Sequence, residues 1–148
     1  MNRFRWSNLP LPEGHVLLLV LGVAVHTRLP LTLFELPWLK QVVGWPLLLL
    51  GGLLADWAVV TVKDIDISRP TRIIDTGPYR FSRNPMYVAW TMMYVGATAL
   101  VNTWWLLLFL PLLIAFTHYF GVLREEQQLE QSFGQEYRQY CDRVRRYW

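Results

Sequence analysis

Apolar positions gather into four runs, from about His15 to Leu29, Val42 to Val62, Met86 to Val101 and Trp104 to Leu123, with polar segments between them. The second and fourth reach the roughly 20 residues that a helix needs to cross the hydrocarbon core of a bilayer. The first and third are shorter, and each alone reads equally well as a buried helix or a re-entrant segment. Their context favours crossing. Only Asn102 and Thr103 separate the third run from the fourth, which suits a tight helical hairpin. Trp104 and Trp105 at that turn, with Trp38 and Trp45 ahead of or within the start of the second run, match the aromatic belt of one membrane interface. The first run also has the length of a signal-peptide core. His26-Thr-Arg-Leu-Pro follows it, however, in place of a small-residue cleavage site, so it is read as a span.

Composition agrees with this pattern. Of the 148 residues 53% are apolar and 17% charged, and mean hydropathy is +0.23. A water-soluble domain of this size needs more charge to cover its surface. The expected fold is therefore all-α: one integral membrane domain over residues 1–148, with four transmembrane helices and a helical segment after the last. Cys141 is the single cysteine, which excludes an internal disulfide framework and a Cys-rich zinc site. The three histidines, at positions 15, 26 and 118, argue against a His-rich metal centre, so no metal is expected.

Charge sets the orientation. Four crossings put residues before 15, the connection 63–85 and the tail 124–148 on one side. That side carries Arg3, Arg5, Lys63, Arg69, Arg72, Arg80, Arg83, Arg124, Arg138, Arg143, Arg145 and Arg146, leaving only Arg28 and Lys40 of the 14 cations on the other. The positive-inside rule makes the crowded side cytoplasmic, with both termini there.

Two cytoplasmic segments carry candidate chemistry. In the connection, Thr76-Gly77-Pro78 is a turn signal, and Asn84-Pro85 ahead of an apolar run reads as the cap and first position of a helix. Free N–H groups at such a helix start, with Arg80 and Arg83 beside them, suit an anionic group. The simpler reading is that these arginines meet lipid phosphates. In the tail, Leu129, Phe133, Tyr137, Tyr140, Val144 and Tyr147 recur at steps of three or four, which predicts a helix with one apolar, aromatic face, interrupted at Gly134. It lies in the membrane interface or folds back over the spans. Glu125 and Glu126 head this tail about 100° apart on a helix, so one can face a ligand while the other pairs with an arginine.

The residues say more than the spacing. Asp75-Thr-Gly-Pro-Tyr-Arg-Phe-Ser-Arg-Asn-Pro-Met-Tyr87, an apolar hairpin, and then Arg124-Glu-Glu-Gln-Gln-Leu-Glu-Gln-Ser-Phe-Gly-Gln-Glu-Tyr-Arg-Gln-Tyr140 with Val144-Arg145 closely resemble the isoprenylcysteine carboxyl methyltransferase and phospholipid methyltransferase family of membrane enzymes. The resemblance covers about half the chain, from 75 onward. It implies S-adenosylmethionine as methyl donor (S-adenosylhomocysteine as product), bound near the cytosolic face, and a lipophilic small molecule or lipid as acceptor. It also implies a prokaryotic inner membrane and no nucleic-acid partner. No Gly-x-Gly-x-x-Gly follows a strand, which excludes a Rossmann-type methyltransferase. Carried over by match, the cofactor residues are Gly77, Pro78, Tyr79, Arg80, Arg83, Asn84, Pro85, Tyr87, Glu125, Glu126 and Tyr137. Arg83, Glu126 and His118 are the residues expected to carry catalysis.

One position departs from the family pattern: Asn84 stands where the eukaryotic enzymes have histidine. Asparagine cannot serve as a general base, so either another base exists or the acceptor is already ionised. His118 and Asp56 lie roughly 8 and 9 Å inside their spans at 1.5 Å per residue, so both are candidates to line one pocket. His118 is the candidate base and Asp56 a candidate for orienting the acceptor; a helix-packing hydrogen bond is the equal alternative for each. His26, near the opposite face, reads as interfacial. The competing class is a non-enzymatic membrane protein whose basic face binds anionic lipid or a partner. In that case the arginines would act additively and no single glutamate would matter.

Overall fold

The computed structural model describes residues 13–65 and 70–147 of the chain. In order they form α1 (Glu13–Arg28), α2 (Pro37–Val62), a 3-10 turn (Gly77–Arg80), α3 (Pro85–Val101), α4 (Trp104–Phe116), a π-helical turn (Thr117–Val122), α5 (Leu123–Phe133) and α6 (Gln135–Arg143). Among the described residues there is no strand. Proline opens α2 and α3, where its missing N–H costs nothing and its fixed φ suits the first turn. Asn102 ends α3 in the left-handed conformation, with φ 61°, and Thr103 caps α4 by accepting the Trp105 N–H at 3.2 Å. The hairpin expected at Asn102-Thr103 is therefore closed by two residues whose side chains suit those roles.

Helix α4 does not stop where the apolar run stops. It continues through the π-helical turn into α5 as one helix from Trp104 to Phe133, although the side chains turn polar at Arg124. Gly134, with φ 52°, then breaks the chain direction and starts α6, the interruption expected from the sequence. Two helices are long and apolar enough to cross a membrane, Pro37–Val62 and Trp104–Phe133, and only 17% of the apolar window of each is buried within the protein. Leu53, Val60, Leu108 and Leu112 point outward, each more than half exposed. Such surfaces belong against lipid and not in water. Helices α1 and α3, with 16 and 17 residues, are shorter.

The closest packing joins α2 to α3. Gly44, Gly51 and Ala58 recur every seventh residue on α2 and are buried, as are Ala89 and Gly96 on α3. A Cβ placed on Gly44 would lie 2.9 Å from the Gly96 carbonyl, and one on Gly96 would lie 2.9 Å from the Gly44 carbonyl, so here backbone meets backbone. Small residues let apolar helices approach in this way where the hydrophobic effect offers no preference.

The two ends of the bundle differ. At one end the α3–α4 turn is stitched to the α1–α2 connection: Asn102 accepts the Phe34 N–H at 2.7 Å and donates to its carbonyl at 3.0 Å, and Trp104 N–H reaches the Leu31 carbonyl. At the other end the 3-10 turn, the start of α3, α5, α6 and the residues after α6 converge. All the polar chemistry of the two candidate segments lies there.

Candidate active site

The 3-10 turn begins at Gly77, whose φ is +57° and whose Cα faces Thr61 on α2; an added Cβ would meet Thr61 Oγ1 at 2.4 Å. Only glycine satisfies both the backbone conformation and the close approach. The turn carries the chain to Tyr79, whose carbonyl accepts the Tyr140 hydroxyl from α6 at 2.6 Å. Tyr137, Tyr140 and Val144 form a buried cluster, with Ile73, Leu129, Phe133 and Cys141 packed against it. This is the aromatic stripe of the tail. It packs over the 70–80 segment, through Ile73 and the Tyr79 carbonyl.

The residues after α6 run along the start of α3. Arg83 N–H donates to the Arg145 carbonyl at 2.9 Å, and Ser82 Oγ and Asn84 Nδ2 both donate to the Arg146 carbonyl, at 3.3 and 3.2 Å. Asn84 precedes α3 as expected, but its side chain leaves the cap role and serves this clamp. The clamp delivers the Arg146 guanidinium to Glu126, with three contacts of 2.8 to 3.1 Å. On the other side of Glu126, Arg83 Nη1 stands 3.4 Å from Oε1, and both side chains are only 13% exposed. Arg83 Nη1 also donates to Cys141 Sγ. Arg83 Nε is buried with no hydrogen-bond partner among the described residues. The two glutamates diverge as their 100° spacing requires. Glu126 takes the arginines, while Glu125 accepts the Tyr87 hydroxyl at 2.7 Å.

Between these elements lies a cavity of about 600 Å³, lined among others by Tyr79, Arg83, Asn84, Glu125, Glu126, Tyr137 and Tyr140, with Ile73 and Leu129 as apolar wall. Glu125 keeps access to solvent through the opening, yet the surrounding protein crowds out much of the bulk water. That burial pushes its carboxyl above the ordinary glutamate value, and the hydrogen bond from Tyr87 offsets part of the shift. Burial likewise pushes the phenols of Tyr79 and Tyr137 well up, helped by the charges of Glu125 and Glu126 respectively. Both remain neutral hydroxyls. The hydrogen bonds to Glu126 hold Arg146 still more firmly in its charged form. The cavity thus presents an arginine, a carboxylate with spare acceptor capacity, and neutral phenols. Among the described residues no group of three or more His, Cys, Asp or Glu side chains is placed to hold a metal ion.

The sequence pattern of the phospholipid methyltransferases matches residues 39–136, which take in α2 to the start of α6. The chain belongs to the phospholipid methyltransferase family. Comparison with curated protein sequences gave no match. Members of this membrane-associated family are methyltransferases, and their family name points to lipid-like substrates.

Of the residues singled out in this methyltransferase by sequence, the structure brings Tyr79, Arg83, Asn84, Glu125, Glu126 and Tyr137 to the cavity wall. Gly77, Pro78 and Pro85 shape its backbone from behind, and Arg80 is exposed outside it. Tyr87 reaches the site only through Glu125. Asp56 and His118, expected to line one pocket, are not among the residues that line this cavity: Asp56 is exposed on α2, and His118 Nδ1 lies 2.7 Å from the Tyr147 hydroxyl. The physical reason for His118 is the π-helical turn at 117–122, which changes the facing of that stretch relative to a straight helix. His26 accepts the Leu31 N–H at 3.4 Å at the far end of the bundle. Sequence reasoning missed Arg146 and Cys141 as site residues. Arg146 was visible only as one cation among many.

Proposed function

We propose that this protein transfers a methyl group from S-adenosylmethionine to a lipophilic acceptor at the cytosolic face of a membrane, in the manner of the isoprenylcysteine carboxyl methyltransferases. One observation carries this reading: a 600 Å³ cavity in which Arg83 and Glu125 offer opposite charges across a wall of tyrosines, with Glu126 already neutralised by its two arginines. The donor carries an ammonium, a carboxylate, ribose hydroxyls and a sulfonium, and the residues fit each. Arg83, whose Nε lacks a partner, would hold the carboxylate. Glu125 would accept from the ammonium or the ribose. Tyr79 would lie against the adenine or the sulfonium. When bound, the cofactor supplies the electrophilic methyl group. The chain's own part is to position and to exclude water, which accounts for much of the rate of an in-line transfer.

Glu126 and Arg146 set the position of Arg83, and Asn84 holds the segment that carries Arg146. Asn84 has no role as a base in this arrangement, nor has His118. The placement of the whole site at one end of the bundle, with the α1–α2 connection and α3–α4 turn at the other, supports four crossings with that end cytosolic, in keeping with the distribution of cations.

The test is calorimetric binding of S-adenosylmethionine and S-adenosylhomocysteine to the detergent-purified protein, with Glu126→Gln beside it. Micromolar binding that the variant loses supports the proposal. No binding by a folded, monodisperse sample, also in lipid nanodiscs, would sink it and favour a basic face that binds anionic lipid.

A further inference from the structure

A second cavity, of about 350 Å³, lies where α1, α3 and the π-helical turn meet, and nothing in the cofactor site uses it. Two of the residues that line it carry a polar atom with no partner among the described residues. His15 is 7% exposed, and its Nε2 is buried with no hydrogen-bond partner among the described residues; the same holds for Trp90 Nε1. A buried polar atom left unmatched costs stability, so two on one cavity wall mark a place where a ligand supplies the missing bonds. The His15 ring is held edge-on to Tyr94 at 6.2 Å between centroids, and Tyr94 is itself anchored by its hydroxyl to the Leu106 carbonyl. Apolar walls come from Phe116 and Phe120.

Tyr87 joins this cavity to the first. Its ring lines the second cavity, while its hydroxyl donates to Glu125 on the wall of the first. Gly121 makes that reach possible: a Cβ there would sit 2.8 Å from the Tyr87 oxygen. One hydrogen-bonded pair, Tyr87 and Glu125, links the lining of the two cavities.

We propose that the second cavity holds the polar end of the methyl acceptor, and that His15 and Trp90 select an oxygen-centred group, a carboxylate or hydroxyl on a long alkyl chain, over a protonated amine. The indole N–H only donates, and an ammonium has no lone pair to receive it. A carboxylate or hydroxyl oxygen accepts from Trp90; a hydroxyl meets His15 Nε2 in either of its tautomers, and a carboxylate meets it when Nε2 carries the proton. Glu13 and Arg124, of opposite sign, also line the cavity and together bring no net preference for a cation. This assignment rests on the proposed methyl transfer for its meaning. His15 lies outside the matched residues, and Trp90 lies within them.

The experiment photolabels the detergent-purified protein with a diazirine-bearing sixteen-carbon fatty acid, in the presence of S-adenosylhomocysteine. Unlabelled palmitate, hexadecanol and hexadecylamine serve as competitors. Labelling of α1 and α3 peptides that palmitate and hexadecanol suppress and hexadecylamine does not, and that falls at least tenfold in His15→Ala and Trp90→Phe while S-adenosylhomocysteine still binds, is the expected result. Equal competition by hexadecylamine, labelling indifferent to both substitutions, or no labelling of the parent protein overturns the proposal. Should a variant fail to fold, the competitor series on the parent protein decides alone. The expected labelling pattern in a protein that binds no S-adenosylhomocysteine would overturn the methyl-transfer reading and leave this ligand site standing.

Discussion

Arg146 holds Glu126 with a two-pronged ion pair, Nε 3.0 Å from Oε1 and Nη2 2.8 Å from Oε2. A planar guanidinium matches a carboxylate in this way and a lysine does not. Glu126 in turn keeps Arg83 beside the cavity, so a residue from beyond α6 sets the position of one from before α3.

Arg146→Ala leaves Glu126 with a single cation at 3.4 Å. Because Arg146 is partly exposed, the expected loss of stability is moderate, about 1–2 kcal/mol, read as a lower thermal midpoint in detergent. Affinity for S-adenosylhomocysteine should fall about tenfold, a loss of about 1.4 kcal/mol. Arg146→Lys should recover stability in part and affinity hardly at all. Full affinity in Arg146→Ala would show that Arg83 needs no help from it.

Glu125 predicts a pH dependence. Burial raises the pKa of its carboxyl above the ordinary glutamate value, and the hydrogen bond from Tyr87 offsets part of that shift. A cation bound beside it favours the carboxylate, and binding then releases a proton. Affinity for S-adenosylmethionine should weaken as pH falls through the raised value and stay level above it. Stability of the free protein runs the other way. The folded state binds more protons than the unfolded one between the ordinary and the raised value, so stability is greatest below that window and declines as pH rises across it. Calorimetry across pH reads the first trend, and Glu125→Gln should flatten it. A slope that survives the substitution would remove Glu125 from the site.

Gly77→Ala combines a left-handed φ with a collision against Thr61. About 2–3 kcal/mol of destabilisation is expected, of which about 1 kcal/mol is backbone strain. The double variant Gly77→Ala with Thr61→Ala removes the collision and keeps the strain. Thermal unfolding should therefore place it between the single variant and the parent; equal midpoints for single and double variants would contradict the steric account.

Asn84→Asp replaces a donor by a carboxylate facing the Arg146 carbonyl at the present 3.2 Å contact. Two acceptors repel, and the segment after α6 should loosen. Hydrogen exchange of the amides at 144–146 should accelerate by roughly tenfold or more, which is a local opening made about 1.4 kcal/mol easier. Unchanged exchange would mean that Ser82 and Arg83 hold the segment without Asn84.

Much of the architecture was legible in the residues, and the reasons are local. Asn84-Pro85 and Asn102-Thr103 mark helix ends by their own backbone preferences, so α3 was placed to within a residue. The aromatic stripe of the tail predicted a buried face, and the divergence of Glu125 from Glu126 follows from helix geometry alone. What escaped depends on contacts between distant segments. Nothing near Arg146 in sequence announces Glu126, and nothing near His15 announces Trp90. His118 sat at a plausible depth, but depth along a helix says nothing of facing once a π-helical turn intervenes.

The clamp at Ser82 and Asn84 also has a consequence for how the protein is made. A ribosome delivers residues in order, and every helix from α1 to α5 emerges before Tyr140 and Arg146 do. Until then Glu126 and Arg83 lack their partners and the aromatic cluster over the 70–80 segment is missing its centre. The helices of the bundle are therefore complete before the pocket is, and a nascent chain halted before Arg146 would have its helices with Glu126 still short of one of its two arginines.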